Sequence, residues 1–93
     1  MHAKIITLVM FIILGAGCAT HPNSPQALKC ENGLKIANQE LDFAKAKGFS
    51  GTVEFTKAAS LLGAASIQKE FGKYPNCIDK VERARAFIKA SQR

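Results

Sequence analysis

The stretch FTKAASLLGAASIQKEF, residues 55–71, decides the fold of this chain. Apolar residues leave hardly any polar face in its middle, which is typical of a helix buried on more than one side. Its alanines and Gly63 are small enough to let neighbouring helices approach closely. We therefore expect a helix that opens near Thr52 and forms the central element of a small helical domain.

A second helix is predicted before this stretch. Its apolar residues alternate between spacings of three and four positions, the period of one helix face. They are Ala27, Cys30, Leu34, Ala37, Leu41 and Ala44. Ser24 followed by Pro25 is typical of a helix start, because serine caps the first turn and proline tolerates the first helical position. Gly48 predicts the end of the helix.

A third helix is predicted after the stretch. Gly72 and Pro75 interrupt the preceding pattern, and Asn76 with Asp79 three positions later matches a helix cap. A new apolar face then follows, formed by Cys77, Val81, Ala84 and Ile88. The sequence predicts an all-α fold with three antiparallel helices, up-down-up, over residues 25–47, 52–73 and 76–92 of a domain at 25–93.

The N-terminal segment carries a different signal. Lys4 precedes an apolar run at residues 5–14, which is too short for a bilayer span of about 20 residues but suits a secretory signal of roughly 7–15. Small residues and then Cys18 follow the run. This pattern resembles the lipobox of bacterial lipoproteins, in which the cysteine thiol receives diacylglycerol, the chain is cut before it and the new amine is acylated. Gly15 departs from the commonest lipobox, which has leucine there.

The lipobox resemblance implies a signal peptide at 1–17, lipidation of Cys18 and a tether at 18–24. The chain would then hold to a membrane through its N-terminal lipid without spanning it. Ala19 is not an acidic inner-membrane retention signal, so the resemblance favours the periplasmic leaflet of the outer membrane. The alternatives are an ordinary signal peptide cut near Ala19 and an uncleaved short anchor.

Lipidation of Cys18 would leave Cys30 and Cys77 as an even pair in an oxidising compartment. Such a pair in a small domain indicates a structural disulfide, and in the predicted topology both cysteines lie toward the same end of the bundle. Metal binding is the weaker interpretation, because His21 is the only histidine after the signal peptide and C-x-x-C is absent. Buried free thiols are the remaining alternative.

The second and third helices together resemble one tetratricopeptide unit. Gly72, Tyr74, Cys77, Val81 and Ala84 fall on the G-x-Y-x-x-A-x-x-x-aromatic-x-x-A pattern of that family, with Cys77 in place of alanine and Val81 in place of the aromatic residue. The order of lipobox, alanine-rich helix, F-x-K-A-A-x-L-L-x-A-A and G-x-Y also resembles small bacterial envelope lipoproteins of the DUF4398 type. The alternative is that any small three-helix bundle with alanine packing shows this pattern.

The residue types argue against catalysis. Without a histidine in the predicted domain, neither a Ser/His nor a Cys/His nucleophile system can form. No glycine-rich loop follows a strand, and no carboxylate pair falls in an evident apolar pocket. We expect no enzymatic activity, no metal, no cofactor and no small-molecule substrate.

Two surfaces are candidates for binding. Arg85, Lys89 and Arg93, spaced by four, form a basic stripe that would suit an acidic partner, lipopolysaccharide phosphates or anionic lipid; the simpler interpretation is a solvated helix face. Ile36 and Phe43, seven apart, form an apolar strip that either docks a partner helix or is covered by the third helix. Nucleic acid is not expected, because the chain is predicted to be exported and no aromatic residues interleave the stripe.

Two functions fit these expectations. The first is a lipid-anchored periplasmic adaptor or structural lipoprotein that mediates protein–protein interaction in the bacterial cell envelope. The alternative is an inhibitor or immunity-type lipoprotein that neutralises a toxin or lytic enzyme. Short predicted loops and dispersed charge favour the adaptor, whereas the sequence does not name its partner.

Overall fold

The computed structural model describes residues 23–93, which form three packed helices and no strand. Helix α1 spans Pro25–Ala46, α2 spans Val53–Glu70 and α3 spans Tyr74–Ser91. The predicted all-α class is therefore confirmed. In this part of the chain, none of the helices has the length and hydrophobicity needed to cross a membrane. The predicted signal peptide, Cys18 and tether residues 18–22 lie outside the described residues.

Helices α1 and α3 run in the same direction. Cys30 of α1 is bonded to Cys77 of α3, and further along both helices Glu40 of α1 pairs with Arg85 of α3. Because later residues of α1 meet later residues of α3, the two helices start at the same end of the bundle.

Helix α2 runs antiparallel to α3. The Asn76 amide, near the start of α3, donates a 3.3 Å hydrogen bond to Gln68 near the end of α2. Further along α3, the Phe87 ring lies 5.4 Å from the ammonium of Lys57 near the start of α2. The topology is therefore up-down-up. We call the end that holds Ser24 and the 71–73 loop the proximal end, and the end that holds the 47–52 loop the distal end.

The predicted starts of the first two helices are confirmed. The Ser24 hydroxyl accepts a 3.1 Å hydrogen bond from the backbone N–H of Ala27, and Pro25 occupies the first helical position. The Thr52 hydroxyl accepts a hydrogen bond of the same length from the N–H of Phe55. Both caps satisfy donors that the first helical turn would otherwise leave unpaired.

The boundary between α2 and α3 was predicted wrongly. Helix α2 ends at Glu70, three residues before the expected end, because Gly72 turns the chain with a φ of 71°. Helix α3 begins at Tyr74 without a side-chain cap, so Asn76 lies inside the helix and bonds to Gln68 instead. Pro75 is tolerated there because the first helical turn has no acceptor for its missing N–H.

The prediction that α2 is the central helix was also wrong. Its buried residues form one narrow stripe, Ala58, Leu62 and Ala65, and Ile67 is exposed. All three helices contact one another, but α3 packs more extensively against α1 and against α2 than those two pack against each other, so α3 is the central element. The alanines on the outer side of α2 account for the difference, since alanine is a strong helix former that loses little free energy when it faces solvent.

The core is built mainly from small side chains. Alanines from all three helices and the two disulfide cysteines are fully buried, together with a few larger residues: Leu34, Leu62, Val81 and Ile88. Small side chains allow close helix approach, and a Cβ added at Gly33 of α1 would lie only 3.1 Å from Val81 of α3. Buried Ser91 satisfies its hydroxyl by donating a 2.6 Å hydrogen bond to the Ile88 carbonyl.

Candidate interaction surface

The predicted disulfide joins Cys30 and Cys77, whose Cα atoms lie 5.7 Å apart. Both residues are fully buried in the contact between α1 and α3. A bond in this position fastens the first helix to the third near the proximal end. Because solvent does not reach either sulfur, the bond has a structural role and offers no thiol chemistry at the surface.

The predicted apolar strip on α1 is exposed. Ile36 and Phe43 both face solvent, so α3 does not cover them. Leu28, which sequence reasoning did not include, is exposed on the same helix and shares a groove with Ile36. Leu28 could have been found from its position off the buried stripe of α1, one place from Ala27. The strip therefore extends along most of the helix.

Two grooves accompany the strip between α1 and α3. The proximal groove has a volume of about 510 Å³, and its apolar walls include Leu28, Ile36 and Ile78. The distal groove has a volume of about 320 Å³, and its apolar walls include Ile36, Phe43 and Ile88. Ile36 lines both grooves, so they form one continuous surface. We call this surface, with the polar residues at its edges, the α1–α3 face.

An ion pair crosses the α1–α3 face where the two grooves meet. Arg85 Nε lies 2.6 Å from Glu40 Oε1, and Arg85 Nη2 lies 3.1 Å from Glu40 Oε2. The hydrogen bond from Arg85 lowers the pKa of Glu40, and the same bond raises the pKa of Arg85. Glu40 was not among the site residues predicted from the sequence, and its partner lies 45 positions away. Such a two-point contact fixes both side chains and gives the face a rigid polar centre.

The basic stripe is divided by this ion pair. Arg85 is paired with Glu40, whereas Lys89 and Arg93 are exposed and make no ion pair within residues 23–93. Lys89 lines the distal groove, so its ammonium lies at the edge of the α1–α3 face. Both residues belong to the last turns of the chain, at the distal end. The two unpaired cations of the stripe therefore lie at the opposite end of the bundle from Ser24.

A second exposed apolar set lies at the proximal end and was not predicted. Phe71 is 74 % exposed and Ile67, one turn earlier, is 54 % exposed. Lys69 and Lys73 flank Phe71 in the sequence. The FTKAASLLGAASIQKEF segment did contain the signal, since Ile67 and Phe71 are four positions apart, but the assumption of all-round burial concealed it.

The described residues hold few of the side chains that commonly build catalytic or metal sites. They contain no histidine, and no three His, Cys, Asp or Glu side chains among them lie close enough to hold a metal ion. The features that these residues do bring together are apolar grooves, a fixed ion pair and exposed cations. Those features support binding through burial of apolar surface with charged edges.

Comparison of the chain with protein-family models, with curated proteins and with solved structures finds no match. The resemblances to tetratricopeptide units and to DUF4398-type lipoproteins stay predictions from sequence.

Proposed function

We propose that this protein is a lipid-anchored helical adaptor of the bacterial cell envelope. Acyl chains on Cys18 hold it to a membrane, and the α1–α3 face binds a protein partner. Its place is the periplasmic leaflet of the outer membrane. It has no catalytic activity, cofactor or small-molecule substrate.

The α1–α3 face is the observation that carries the proposal. Three large apolar side chains, Leu28, Ile36 and Phe43, are exposed along one helix, whereas the core of the domain is built mainly from small side chains. Solvent exposure of each is unfavourable and is relieved when a partner covers it. The two adjoining grooves run along parallel helices, which suits an inserted amphipathic helix with apolar residues every three or four positions.

The charges at the edges of the face indicate the chemistry of the partner. Glu40 and Arg85 neutralise each other at the centre, and the proximal groove is lined by both Lys29 and Glu82, whose charges offset each other. Lys89 lines the distal groove and makes no ion pair within residues 23–93. An acidic residue beside the apolar stripe of a partner helix would complement Lys89. We therefore assign the partner as an acidic amphipathic helix of another envelope protein.

Export and anchoring rest on the N-terminal sequence and gain support from the disulfide. The apolar run at 5–14 followed by Cys18 resembles a lipobox. Disulfides persist in oxidising compartments such as the periplasm and are rare in the cytosol. The Cys30–Cys77 bond is therefore consistent with a chain that leaves the cytoplasm.

The loops favour an adaptor over an inhibitor or immunity-type protein. An inhibitor that blocks a toxin or lytic enzyme usually inserts a protruding loop or a charged plug. Here the connections are short, at 47–52 and 71–73, and the candidate surface lies along helices. The favoured function is therefore docking along a helical face.

Site-specific photocrosslinking in intact cells tests this function. A photoreactive amino acid replaces exposed Gln39, which lines the distal groove, and in a second chain it replaces exposed Ser66 on α2. We expect a discrete crosslinked product from position 39 and none from position 66. The partner in that product is then identified, and a synthetic peptide of its acidic amphipathic helix should bind the purified protein.

Substitutions test whether the crosslink depends on the apolar side chains of the α1–α3 face. In the chain with the photoreactive group at position 39, Ile36→Ser or Phe43→Ser should remove the product, whereas Val53→Ser, a matched exposed site on α2, should retain it. Cys18→Ala should weaken the product by releasing the protein from the membrane. Equal products from positions 39 and 66, or a product that survives Ile36→Ser and Phe43→Ser, would contradict docking at the α1–α3 face.

A further inference from the structure

We propose that the proximal end of the bundle is a second membrane contact, in which Phe71 and Ile67 insert among the lipid headgroups and hold the domain upright. This inference rests on the proposed lipid anchor at Cys18. It adds a second attachment point and fixes which way the α1–α3 face points.

The path of the chain places the proximal end beside the bilayer. Helix α1 begins at Pro25, seven positions after Cys18. Seven residues span at most about 25 Å when fully extended. The up-down-up topology brings the start of α1, the end of α2 and the start of α3 together at this end. A lipid on Cys18 therefore keeps the start of α1 within about 25 Å of the headgroups, and the 71–73 loop lies at that same end of the bundle.

The side chains at this end suit a lipid interface. Phe71 and Ile67 are exposed at the end of α2. Helices that lie on membranes bury such residues at the boundary between headgroups and acyl chains. Burial there removes apolar surface from water without any change in the fold.

The charges around Phe71 complement an anionic membrane surface. Lys69 and Lys73 lie two positions on either side of it, and Glu70 is the acidic residue beside Phe71 in the sequence. Lysines beside an inserted apolar residue attract anionic headgroups while their stems stay in the interface. The combination of an exposed aromatic ring, an exposed aliphatic side chain and flanking lysines favours lipid as the occupant.

The distal end provides an internal comparison. Val53, at the other end of α2, is 64 % exposed, so both ends of the bundle carry uncovered apolar side chains. They differ in position, because α2 separates them by about 27 Å at 1.5 Å per residue over its 18 residues. An upright domain puts Ile67 and Phe71 in the interface and Val53 in water. A domain that lies flat on the membrane would place both ends of α2 at the same depth.

An upright orientation has a consequence for the proposed adaptor. The α1–α3 face then runs along the membrane normal and is open to a partner in the periplasm. Lys89 and Arg93 lie far from the headgroups of the anchoring leaflet and serve the partner instead.

Tryptophan fluorescence tests the orientation, because the chain contains no tryptophan. The Phe71→Trp and Val53→Trp variants of the full lipidated protein are reconstituted into vesicles of phosphatidylethanolamine and phosphatidylglycerol, with or without bromine on the acyl chains. Bromine quenches a nearby indole. For Phe71→Trp we expect a blue-shifted emission and a clear loss of intensity with brominated lipid, as for an interfacial aromatic side chain. For Val53→Trp we expect neither change.

Flotation of the same vesicles distinguishes failure of the proximal contact from failure of the lipid anchor. If the protein floats but bromine quenches neither variant, or quenches both equally, the proximal contact is wrong and the lipid anchor stands. If the protein does not float, the lipid anchor fails and this inference fails with it. A blue shift of Phe71→Trp that needs no vesicles and grows with protein concentration would assign the proximal end to a second copy of the chain, which also overturns the proposal.

Discussion

Cys30 and Cys77 are 47 positions apart in the chain, yet their Cα atoms lie 5.7 Å apart and their sulfur atoms are bonded. In a chain-entropy model, closing a loop of this length removes unfolded-state freedom that amounts to about 4 kcal/mol. The core of a domain this small rarely contributes more than about 3–5 kcal/mol to the free energy of folding. The disulfide therefore supplies a decisive share of the stability.

The first prediction concerns the contribution of the disulfide to the stability of the domain. Replacing both Cys30 and Cys77 with alanine should lower the midpoint of thermal unfolding by well over ten degrees, since about 1 kcal/mol corresponds to roughly 4–8 °C in a domain of this size. Circular dichroism at 222 nm measures the midpoint. Cys18→Ala, which leaves the bond intact, is the control. An unchanged melting curve for the double variant would show that the bond adds nothing to stability.

A pair of glycines tests how closely α1 and α3 approach. Gly63→Ala, where an added Cβ meets no atom within 4 Å, should raise the free energy of unfolding by about 0.5–1 kcal/mol through helix propensity. Gly33→Ala gains the same helix propensity but places its Cβ 3.1 Å from the side chain of Val81. Val81 is buried, so it has little room to move aside. We expect no net gain or a loss.

Urea unfolding of the two glycine variants gives the comparison directly. The sign of the difference between them is the informative quantity, because helix propensity contributes equally to both. Equal stabilisation by Gly33→Ala and Gly63→Ala would mean that α1 and α3 leave room for a Cβ at position 33, which contradicts the 3.1 Å approach to Val81.

The Glu40–Arg85 ion pair predicts a dependence of stability on pH. Because hydrogen bonding from Arg85 lowers the pKa of Glu40 in the folded state, the contribution is fully present above the ordinary value of 4.5. It is lost as the pH falls through the lowered pKa. Both side chains are partly exposed, so we expect Glu40→Gln to cost about 0.5–1 kcal/mol at neutral pH. The difference from the unsubstituted protein should disappear in acid.

A second ion pair serves as the control for this effect. Arg83 and Asp79 lie 3.8 Å apart on the surface of α3, and both are well exposed. Asp79→Asn should therefore change the free energy of unfolding by less than Glu40→Gln at pH 7. The Glu40 prediction is wrong if its cost persists undiminished at pH 2.

Two isoleucines distinguish the α1–α3 face from the core. Ile36 is 44 % exposed and Ile88 is 1 % exposed. Ile88→Ala should cost about 2–5 kcal/mol, because it leaves a cavity in the core. Ile36→Ala should change stability by no more than about 0.5 kcal/mol. Chemical denaturation of both variants measures this, and a comparable loss for Ile36→Ala would make Ile36 a packing residue instead of a docking residue.

The sequence predicted the features that follow from local periodicity and capping. Alternating three- and four-residue spacings in the first helix identified Cys30 and Leu34 as buried. Ser24 was identified as a cap because capping depends on near neighbours in the chain, and the start of the second helix near Thr52 followed from the apolar pattern. The fold class followed from these local patterns. The same reasoning placed Ile36 and Phe43 off the buried stripe of α1.

The features that escaped prediction depend on how the helices are placed against one another. The pairing of Glu40 with Arg85 requires the stagger between α1 and α3, which neither helix encodes alone. The choice of α3 over α2 as the central helix required knowing which alanines face a neighbour. The exposure of Phe71 was missed because the helix was assumed to be buried on all sides, although polar residues surround Phe71 in the sequence.

Mass spectrometry of the natural protein, extracted from bacterial membranes, tests the central claim most directly. We predict a mature chain that begins at Cys18, carries diacylglycerol on its sulfur and an acyl chain on its amine, and has Cys30 and Cys77 joined. A chain that retains residues 1–17, or one with an unmodified thiol at Cys18, would contradict the account.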